Sequence, residues 1–428
     1  LIGVIDSIQI SFDQDAVSAI NQTNAVINVI NLVFAVLGTA SIILITQFKG
    51  IKDEKNVNKI YCLSFYFNLI VGIIISFILV FGAKTIFNLM GVEERYIDKA
   101  VIYMQINGCF SFVIALTTVF SSFLRSNKLM IQSTIVTGIM NIMNVGGNAL
   151  ALFVFNSGIQ GVAISSVISR IVGLIVIVIM YIHYIHSSLS IKNIFPFPGK
   201  LFATLLKIGL PSAGENLSYN LSQLVIIMIL NYHFILSQSI DVNIRGYIAN
   251  FTSIVYMFSN AIAQSAQVII GPKIAKNEID DTFHIVKDTV KMSGIITVLC
   301  SLIFIAISYP LLNSLLNIKD PELKSQAMNI VLIVCAIDIL LEFGRSGNIP
   351  YVRCLQTVGD IYTPVFFAII CCWSAAVLGS YILSAFCNLG VIGVWISCAL
   401  DENIRNIIFT FRWNSKKWTK FNLIKNIN

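Results

Sequence analysis

Long apolar stretches recur along the chain and are broken by short polar segments. A transmembrane helix needs about 20 mostly apolar residues. Eleven runs meet that length, at 21–46, 60–88, 100–124, 129–155, 161–187, 204–232, 245–271, 286–314, 325–345, 361–386 and 390–411. A twelfth, at 1–11, offers only about 15 Å of helix before the polar stretch 12–16 and is expected to be the truncated end of a span. The pattern predicts an all-α polytopic membrane protein of twelve helices. The widest gap, 188–203, contains FPFPG at 195–199. Proline removes helix donors there and glycine permits tight dihedrals, so helices are expected to end on both sides. The chain then divides into an N-lobe at 1–187, a linker at 188–203, a C-lobe at 204–411 and a tail at 412–428.

The two lobes repeat one another. LRSNKLMIQST at 124–134 aligns with LQTVGDIYTPV at 355–365, and GVAISSVISRIVGLI at 161–175 aligns with GVWISCALDENIRNI at 393–407. QFKGIKDEK at 47–55 aligns with PKIAKNEID at 272–280, and the three offsets are 231, 232 and 225 residues. Six spans per copy keep both copies in one orientation, related by a pseudo-two-fold axis along the membrane normal. Such halves commonly hold substrate between them. Polar stripes fit that expectation. Asn21, Asn24, Asn28 and Asn31 step +3, +4, +3 along one helical face, and Thr137, Asn141, Asn144 and Asn148 share one face in the same way. Asn250, Ser253, Asn260, Gln264 and Gln267 line a third helix. Interhelical hydrogen bonding, at about 0.6 kcal/mol per contact, is the competing role for these amides.

At 57% hydrophobic and 11% charged, the chain lies far from soluble domains, which carry about 25% charged residues. The net charge of +7 does not mark a nucleic-acid binder, because its distribution is that of a membrane topology. Of 28 Lys and Arg, 19 fall in 47–59, 125–128, 192–207, 273–291, at Arg353 and in the tail. The opposite connections hold six, Lys84, Arg95, Lys99, Arg245, Lys319 and Lys324. Positive charge stays inside, which places the linker and the C-terminus in the cytoplasm of a plasma (inner) membrane protein. The basic tail is expected to lie along anionic lipid. Nine cysteines sit in apolar segments without a C-x-x-C pair and read as small buried hydrophobes. His183 and His186, three apart, lack a third ligand for a metal.

Six acids interrupt the apolar runs: Asp6, Glu215, Asp338, Glu342, Asp401 and Glu402. Only Arg170, Arg345 and Arg405 oppose them at similar depth. A charge at the bilayer centre costs about 2.5–3.5 kcal/mol, so such groups face wet cavities and handle ions or substrate. Asp6, Glu215, Asp338 and Asp401 are the candidate coupling residues, for H+ or for Na+, with Asp6 the one candidate Na+ ligand. Asn28, Asn31, Asn141, Asn144, Tyr219, Asn260 and Gln264 are the candidate substrate-cavity residues. Glu342, Arg345, Glu402, Arg405 and Arg170 are expected to form a structural charge network. Asp338, Glu342 and Arg345 share a helix face, and Asp401 and Glu402 lie within one turn of Arg405. Four acids against two arginines must bind a proton or a cation in a low-dielectric setting.

No G-x-x-x-x-G-K-[ST], G-x-S-x-G or H-E-x-x-H motif occurs, so nucleotide binding and hydrolytic enzyme chemistry find no foothold. The segments GVIDSIQI, DAVSAIN, FLRSNKLMIQSTIVTGIMNIMNV, LKIGLPSAGENLSYNLSQL, CLQTVGDIYTP and GVIGVWISCALDENIRNIIFTFRW resemble, in order and spacing, the multidrug and toxic compound extrusion (MATE) family, in particular a bacterial subgroup. The resemblance implies a two-lobed, V-shaped exporter of organic cations in antiport with Na+ or H+. It needs no cofactor beyond the coupling ion and no partner beyond small cationic substrates and the bilayer, and we expect it to act as a monomer. Asp6 matches the family's span-one carboxylate. Glu215 sits one turn earlier after Pro211 than the acid of some subgroups. Ser165, Ser166, Ser169 and Arg170 stand where some relatives carry the acid that accompanies Na+. The alternative within the same superfamily is a flippase for lipid-linked oligosaccharides, whose anionic head group calls for a cationic cavity.

Overall fold

The computed structural model describes residues 2–316, 318, 320–421 and 423–424. Lys319, one of the cations counted for topology, lies outside them, as does Lys425. Every regular element among the described residues is helical. In order they are α1 (Ile2–Gln9), α2 (Gln14–Gly50), α3 (Glu54–Leu89), α4 (Glu94–Cys109), α5 (Ser111–Ser126), α6 (Met130–Ala149) and α7 (Gly158–Ile185). There follow α8 (Gly199–Tyr232), α9 (Gln238–Ala275), α10 (Ile279–Leu315), α11 (Pro321–Val358), α12 (Tyr362–Cys371), the single turn α13 (Gly379–Tyr381) and α14 (Gly390–Asn414). Wider π turns at Leu150–Val154, Cys372–Leu378 and Ile382–Phe386 extend α6 and join α12 to α13 and beyond.

Among the described residues eight helices are long and apolar enough to cross a membrane. A ninth forms if α4 and α5, bent by 49°, make one span. With α1, which is only eight residues long, and α8 and α14, whose polar and charged residues dilute their apolarity, this is a twelve-helix membrane protein. The chain forms two compact units, Leu1–Ala213 and Gly214–Asn428. Their division falls inside α8, two residues after Pro211, where a missing donor interrupts the helical ladder.

Helix starts follow capping chemistry. Asp13 and Asp53 each accept a backbone N–H three residues on, from Ala16 at 3.0 Å and Asn56 at 3.1 Å. Asp320 caps α11, with Pro321 in the first turn. The helices run further than bilayer length requires, because polar ends continue them into water. So α2 begins at Gln14 rather than at 21, and α11 continues to Val358. Arg353 is therefore helical rather than part of a connection. Arg245, also expected in a connection, lies on α9 half-buried, and its Nη2 donates to Gln223 Oε1 at 2.9 Å.

In the first unit, Ile10, Ala16 and Ile20 bury with Ala100, Tyr103 and Met104, which seats α1 and the start of α2 against α4. In the second, Gly344 permits a close helix approach. A Cβ there would lie 2.8 Å from the backbone N of Asn403, so α11 and α14 meet without intervening side chains. The basic tail, expected along lipid, also packs against the protein itself. Trp413 and Trp418 are buried and stack at 4.4 Å with 14° between their planes. Arg412 Nε donates to Asp360 Oδ2 at 2.7 Å, and Lys416 Nζ reaches Asp280 Oδ1 at 2.7 Å. Two indoles bury too much apolar area to stay at a surface, and the indole N–H of Trp418 is satisfied by the Trp413 carbonyl at 3.0 Å.

Candidate functional site

α1 is short, but it carries its carboxylate into the centre of the first unit. Asp6 is fully buried. Its Oδ1 accepts from Asn144 Nδ2 at 3.0 Å and Asn148 Nδ2 at 2.7 Å, both on α6. Its Oδ2 accepts from the Tyr103 hydroxyl of α4 and the Ser166 hydroxyl of α7, each at 2.5 Å. Four donors from three helices thus surround one acid. A buried charge is tolerable on such terms, since each hydrogen bond to an ionised group is worth about 1.5–3 kcal/mol. The stepping of the α6 stripe puts Asn144 and Asn148 one turn apart on one face. Gly147 lets α7 approach that face, because a Cβ there would lie 2.4 Å from Ser165 Oγ.

Arg170 lies one turn beyond Ser166 and is buried beside this acid, close enough for direct attraction to Asp6. Its Nη1 donates to Asn107 Oδ1 at 2.7 Å. Arg170 therefore belongs with Asp6, and not with the network of Glu342, Arg345, Glu402 and Arg405 to which the sequence assigned it. Asn144 needs correction too: expected on a cavity wall, it is fully buried on the acid, and its Oδ1 has no partner among the described residues. Beside the α1–α2 turn a cavity of about 630 Å³ opens, with Ser7, Ser11, Gln14, Ser18 and Asn21 among its lining.

The second unit holds a chain of ion pairs. Arg345 donates through Nη1 to Glu342 Oε1 at 2.8 Å, through Nε to Glu402 Oε1 at 3.0 Å and through Nη2 to the Tyr219 hydroxyl at 3.2 Å. Arg405 Nη2 reaches Asp401 Oδ2 at 2.6 Å and Glu402 Oε1 at 3.0 Å. Asn348 Nδ2 donates to Glu402 Oε2 at 2.7 Å. Three carboxylates thus share two guanidiniums, and Glu342 Oε2 and Asp401 Oδ1 are buried without a donor among the described residues. Asp338 stands apart from these pairs. Its Oδ1 accepts from Thr252 Oγ1 and Trp395 Nε1, both at 3.0 Å. Glu215 is half-buried on α8, with no hydrogen bond or ion pair among the described residues, but within electrostatic reach of Arg353 and Arg405.

Of the proposed cavity amides, Asn28 and Asn31 are exposed on α2 and Asn141 is half-buried. Gln264 Nε2 donates to Asn260 Oδ1 at 3.4 Å. Asn24, from the same stripe as Asn28, is helix glue, donating to the Gly3 carbonyl at 3.1 Å. The sequence reading missed Tyr103 and Asn107, one turn apart on α4, a pair too short to register as a stripe. It also missed Asp241, fully buried, which accepts the backbone N–H of Ile235 at 2.9 Å and of Leu236 at 3.2 Å. Asp241 fixes the loop between α8 and α9. The nine cysteines are all free.

Twelve helices with buried, hydrogen-bonded carboxylates in both units define an integral membrane transporter. A family model described as MatE matches residues 2–150 and 211–382, and the chain belongs to that family, the MATE transporters. An uncharacterized transporter, YisQ, of Bacillus subtilis is 30% identical over 97% of this chain and 90% of its own. A probable multidrug resistance protein, NorM, of Thermotoga maritima is 20% identical over 95% of this chain and 86% of its own. Among solved structures, the crystal structure of a MATE in the bent conformation superposes with TM-score 0.85 at 17% identity, covering 100% of this chain and 92% of that one.

Proposed function

We propose that the chain is a secondary active exporter of amphipathic organic cations, working by alternating access in antiport with protons, in the plasma membrane with its linker and C-terminus cytoplasmic. The observation that carries this reading is the donor shell of Asp6. The carboxylate accepts four hydrogen bonds, two from amides and two from hydroxyls. Once protonated, one of its oxygens becomes a donor, and the hydroxyl of Tyr103 or Ser166 must either reverse from donor to acceptor or turn away. Because those donors sit on α4, α6 and α7, loading one proton alters how α1 packs against three helices. That is the bistable element alternating access requires.

The same shell favours H+ over Na+. Sodium would have to take its oxygen ligands from the Tyr103 and Ser166 hydroxyls and Asn144 Oδ1, and the Arg170 guanidinium beside Asp6 repels a second cation there. In the second unit, the donorless oxygens of Glu342 and Asp401 are where a proton would sit. We assign Asp338, Asp401 and Glu215 to secondary proton handling on these grounds, and the polar faces carrying Asn28, Asn31, Asn141, Tyr219, Asn260 and Gln264 to the substrate path. Two relatives bear the name probable multidrug resistance protein, which supports a drug-like small-molecule substrate class.

The test is uptake of a fluorescent organic cation into proteoliposomes under an imposed pH or Na+ gradient. Uptake driven by the pH gradient, absent in Asp6→Asn, is the expected result. Uptake driven only by Na+ would overturn the proton assignment, and no uptake with either gradient would overturn the exporter reading.

A further inference from the structure

At the end of the first unit where α2 runs into α3, a cavity of about 340 Å³ is lined by Lys49, Glu54, Asn58, Tyr61, His186 and Ser188 among others. It lies within one unit and shares no residue with the Asp6 shell. We propose that this cavity binds the headgroup of an aminophospholipid, with Lys49 and His186 holding the phosphate and Glu54 holding the ammonium.

Three observations support the assignment. The first is charge. Glu54 acts on Lys49 electrostatically, yet among the described residues neither Lys49 nor His186 forms an ion pair with it, and the Glu54 side chain makes no hydrogen bond. Opposite charges held around one space without closing on each other suit a ligand that carries both signs a few atoms apart. A lone anion would meet Glu54, and a lone cation would meet Lys49.

The second is preorganisation. Lys49 Nζ is held by Asn127 Oδ1, and Asn127 Nδ2 donates in turn to the Tyr61 hydroxyl at 2.7 Å. The opposite wall is strapped down. Ser187 Oγ donates to Asn58 Oδ1 at 2.6 Å, the Tyr181 hydroxyl to the Ser187 carbonyl at 3.1 Å and the Tyr66 hydroxyl to the Leu189 carbonyl at 3.0 Å. His186 ends α7 in a left-handed conformation, φ 54°, which turns the chain over the cavity. Walls fixed beforehand lower the ordering cost of binding.

The third is the neighbouring surface. Ile164, Ile168, Ile175, Ile179 and Ile182 are all exposed along α7, spaced by three, four or seven residues, and Ile185 at the end of that row lines the cavity. An acyl chain lying on this stripe leaves its headgroup at Lys49 and His186. That continuity selects a lipid over a soluble zwitterion of the same chemistry.

The experiment measures binding of short-chain phosphatidylethanolamine to the full-length protein in detergent by native mass spectrometry. Phosphatidylcholine and phosphatidylglycerol of the same chain length, and free phosphoethanolamine, are run in parallel. A primary ammonium donates hydrogen bonds to Glu54 that a quaternary one cannot, so phosphatidylethanolamine is expected to bind about tenfold tighter than either other lipid. Glu54→Gln is expected to remove that preference, and Lys49→Gln to weaken all three lipids. Lys49 also bonds Asn127, so its variant disturbs the fold as well as the cavity. Glu54 makes no such bond among the described residues, so its variant alone decides the selectivity. Equal binding of the three lipids, or an unchanged preference in Glu54→Gln, would overturn the proposal. Free phosphoethanolamine binding as tightly as the lipid would overturn the lipid assignment.

Discussion

Ser166 Oγ donates to Asp6 Oδ2 at 2.5 Å, joining residues 160 positions apart. The same hydroxyl accepts from Asn144 Nδ2 at 3.0 Å, and that amide also donates to Asp6 Oδ1. One shared hydrogen-bond circuit therefore joins the acid to α6 and α7. The four side chains that donate to Asp6 all come from helices other than α1, so a substitution of the acid acts on those helices.

Asp6→Asn is expected to abolish uptake driven by a pH gradient while leaving a folded protein. An amide keeps one acceptor, but presents donors where Tyr103 and Ser166 already donate. The mismatch is expected to destabilise by about 1–3 kcal/mol. Proteoliposome uptake and thermal unfolding of the same preparation check both halves. Wild-type uptake in this variant would remove Asp6 from the coupling role.

Arg405→Ala is expected to be among the most destabilising single changes in the second unit. Among the described residues it leaves Asp401 buried without an ion-pair partner and takes one of two cations from Glu402. Breaking a buried pair from one side costs about 3–5 kcal/mol. Adding Asp401→Asn to Arg405→Ala should recover part of that loss, because the orphaned charge goes with it. Thermal unfolding of the two single variants and the double variant closes the cycle.

Hydrophobic runs located the helices, since a run of about 20 apolar residues is long enough to cross the hydrocarbon and too long for most buried core helices. The ends were not legible. Hydropathy reports where hydrocarbon stops, and α2 and α11 continue past it on caps and packing. The bend at Phe110 was hidden for a related reason: an apolar run looks the same whether its helix is straight or broken. Asp6, Asn144, Asn148 and Ser166 were each visible as polar residues in apolar spans. Which of them met was not, because pairing across 138 to 160 residues depends on how helices pack. Tyr103 was invisible because a tyrosine in a span usually serves as an apolar body. Asp241 and Arg245 fell in a polar stretch that read as a loop, and the helix there starts earlier than its apolar run.

Lys99 and Asp13 provide a test in water. Lys99 Nζ donates to both carboxylate oxygens of Asp13, at 2.9 and 2.7 Å, joining α4 to the cap of α2. This hydrogen bond is the main cause that holds Asp13 below the ordinary aspartate value of 3.8, helped by the backbone N–H of Ala16 and opposed by partial burial. A carboxylate depressed in the folded state contributes stability above its unfolded value and loses it as pH falls through the folded one. Both side chains are more than a third exposed, which keeps the pair below about 1 kcal/mol. Lys99→Gln is expected to lower the unfolding temperature slightly at pH 7, with the difference from wild type vanishing at pH values below the folded range. A difference that persists unchanged into strong acid would show that Lys99 acts through packing.

The tail offers the sharpest contrast between neighbours. Trp418 is buried against Trp413, with its N–H on the Trp413 carbonyl, while Lys417 beside it is exposed. Trp418→Ala is expected to cost about 3–5 kcal/mol, because it opens a cavity and strips one face of Trp413. Lys417→Ala is expected to stay within about 0.5 kcal/mol of wild type. The loss in Trp418→Ala should also loosen the Arg412–Asp360 ion pair, since Arg412 directly precedes the stacked Trp413. Limited proteolysis then ought to cut the tail after Lys416, Lys417 and Lys420 faster in Trp418→Ala than in wild type. If instead both variants unfold at the wild-type temperature and resist cleavage equally, the tail is a passenger on the second unit rather than part of its core.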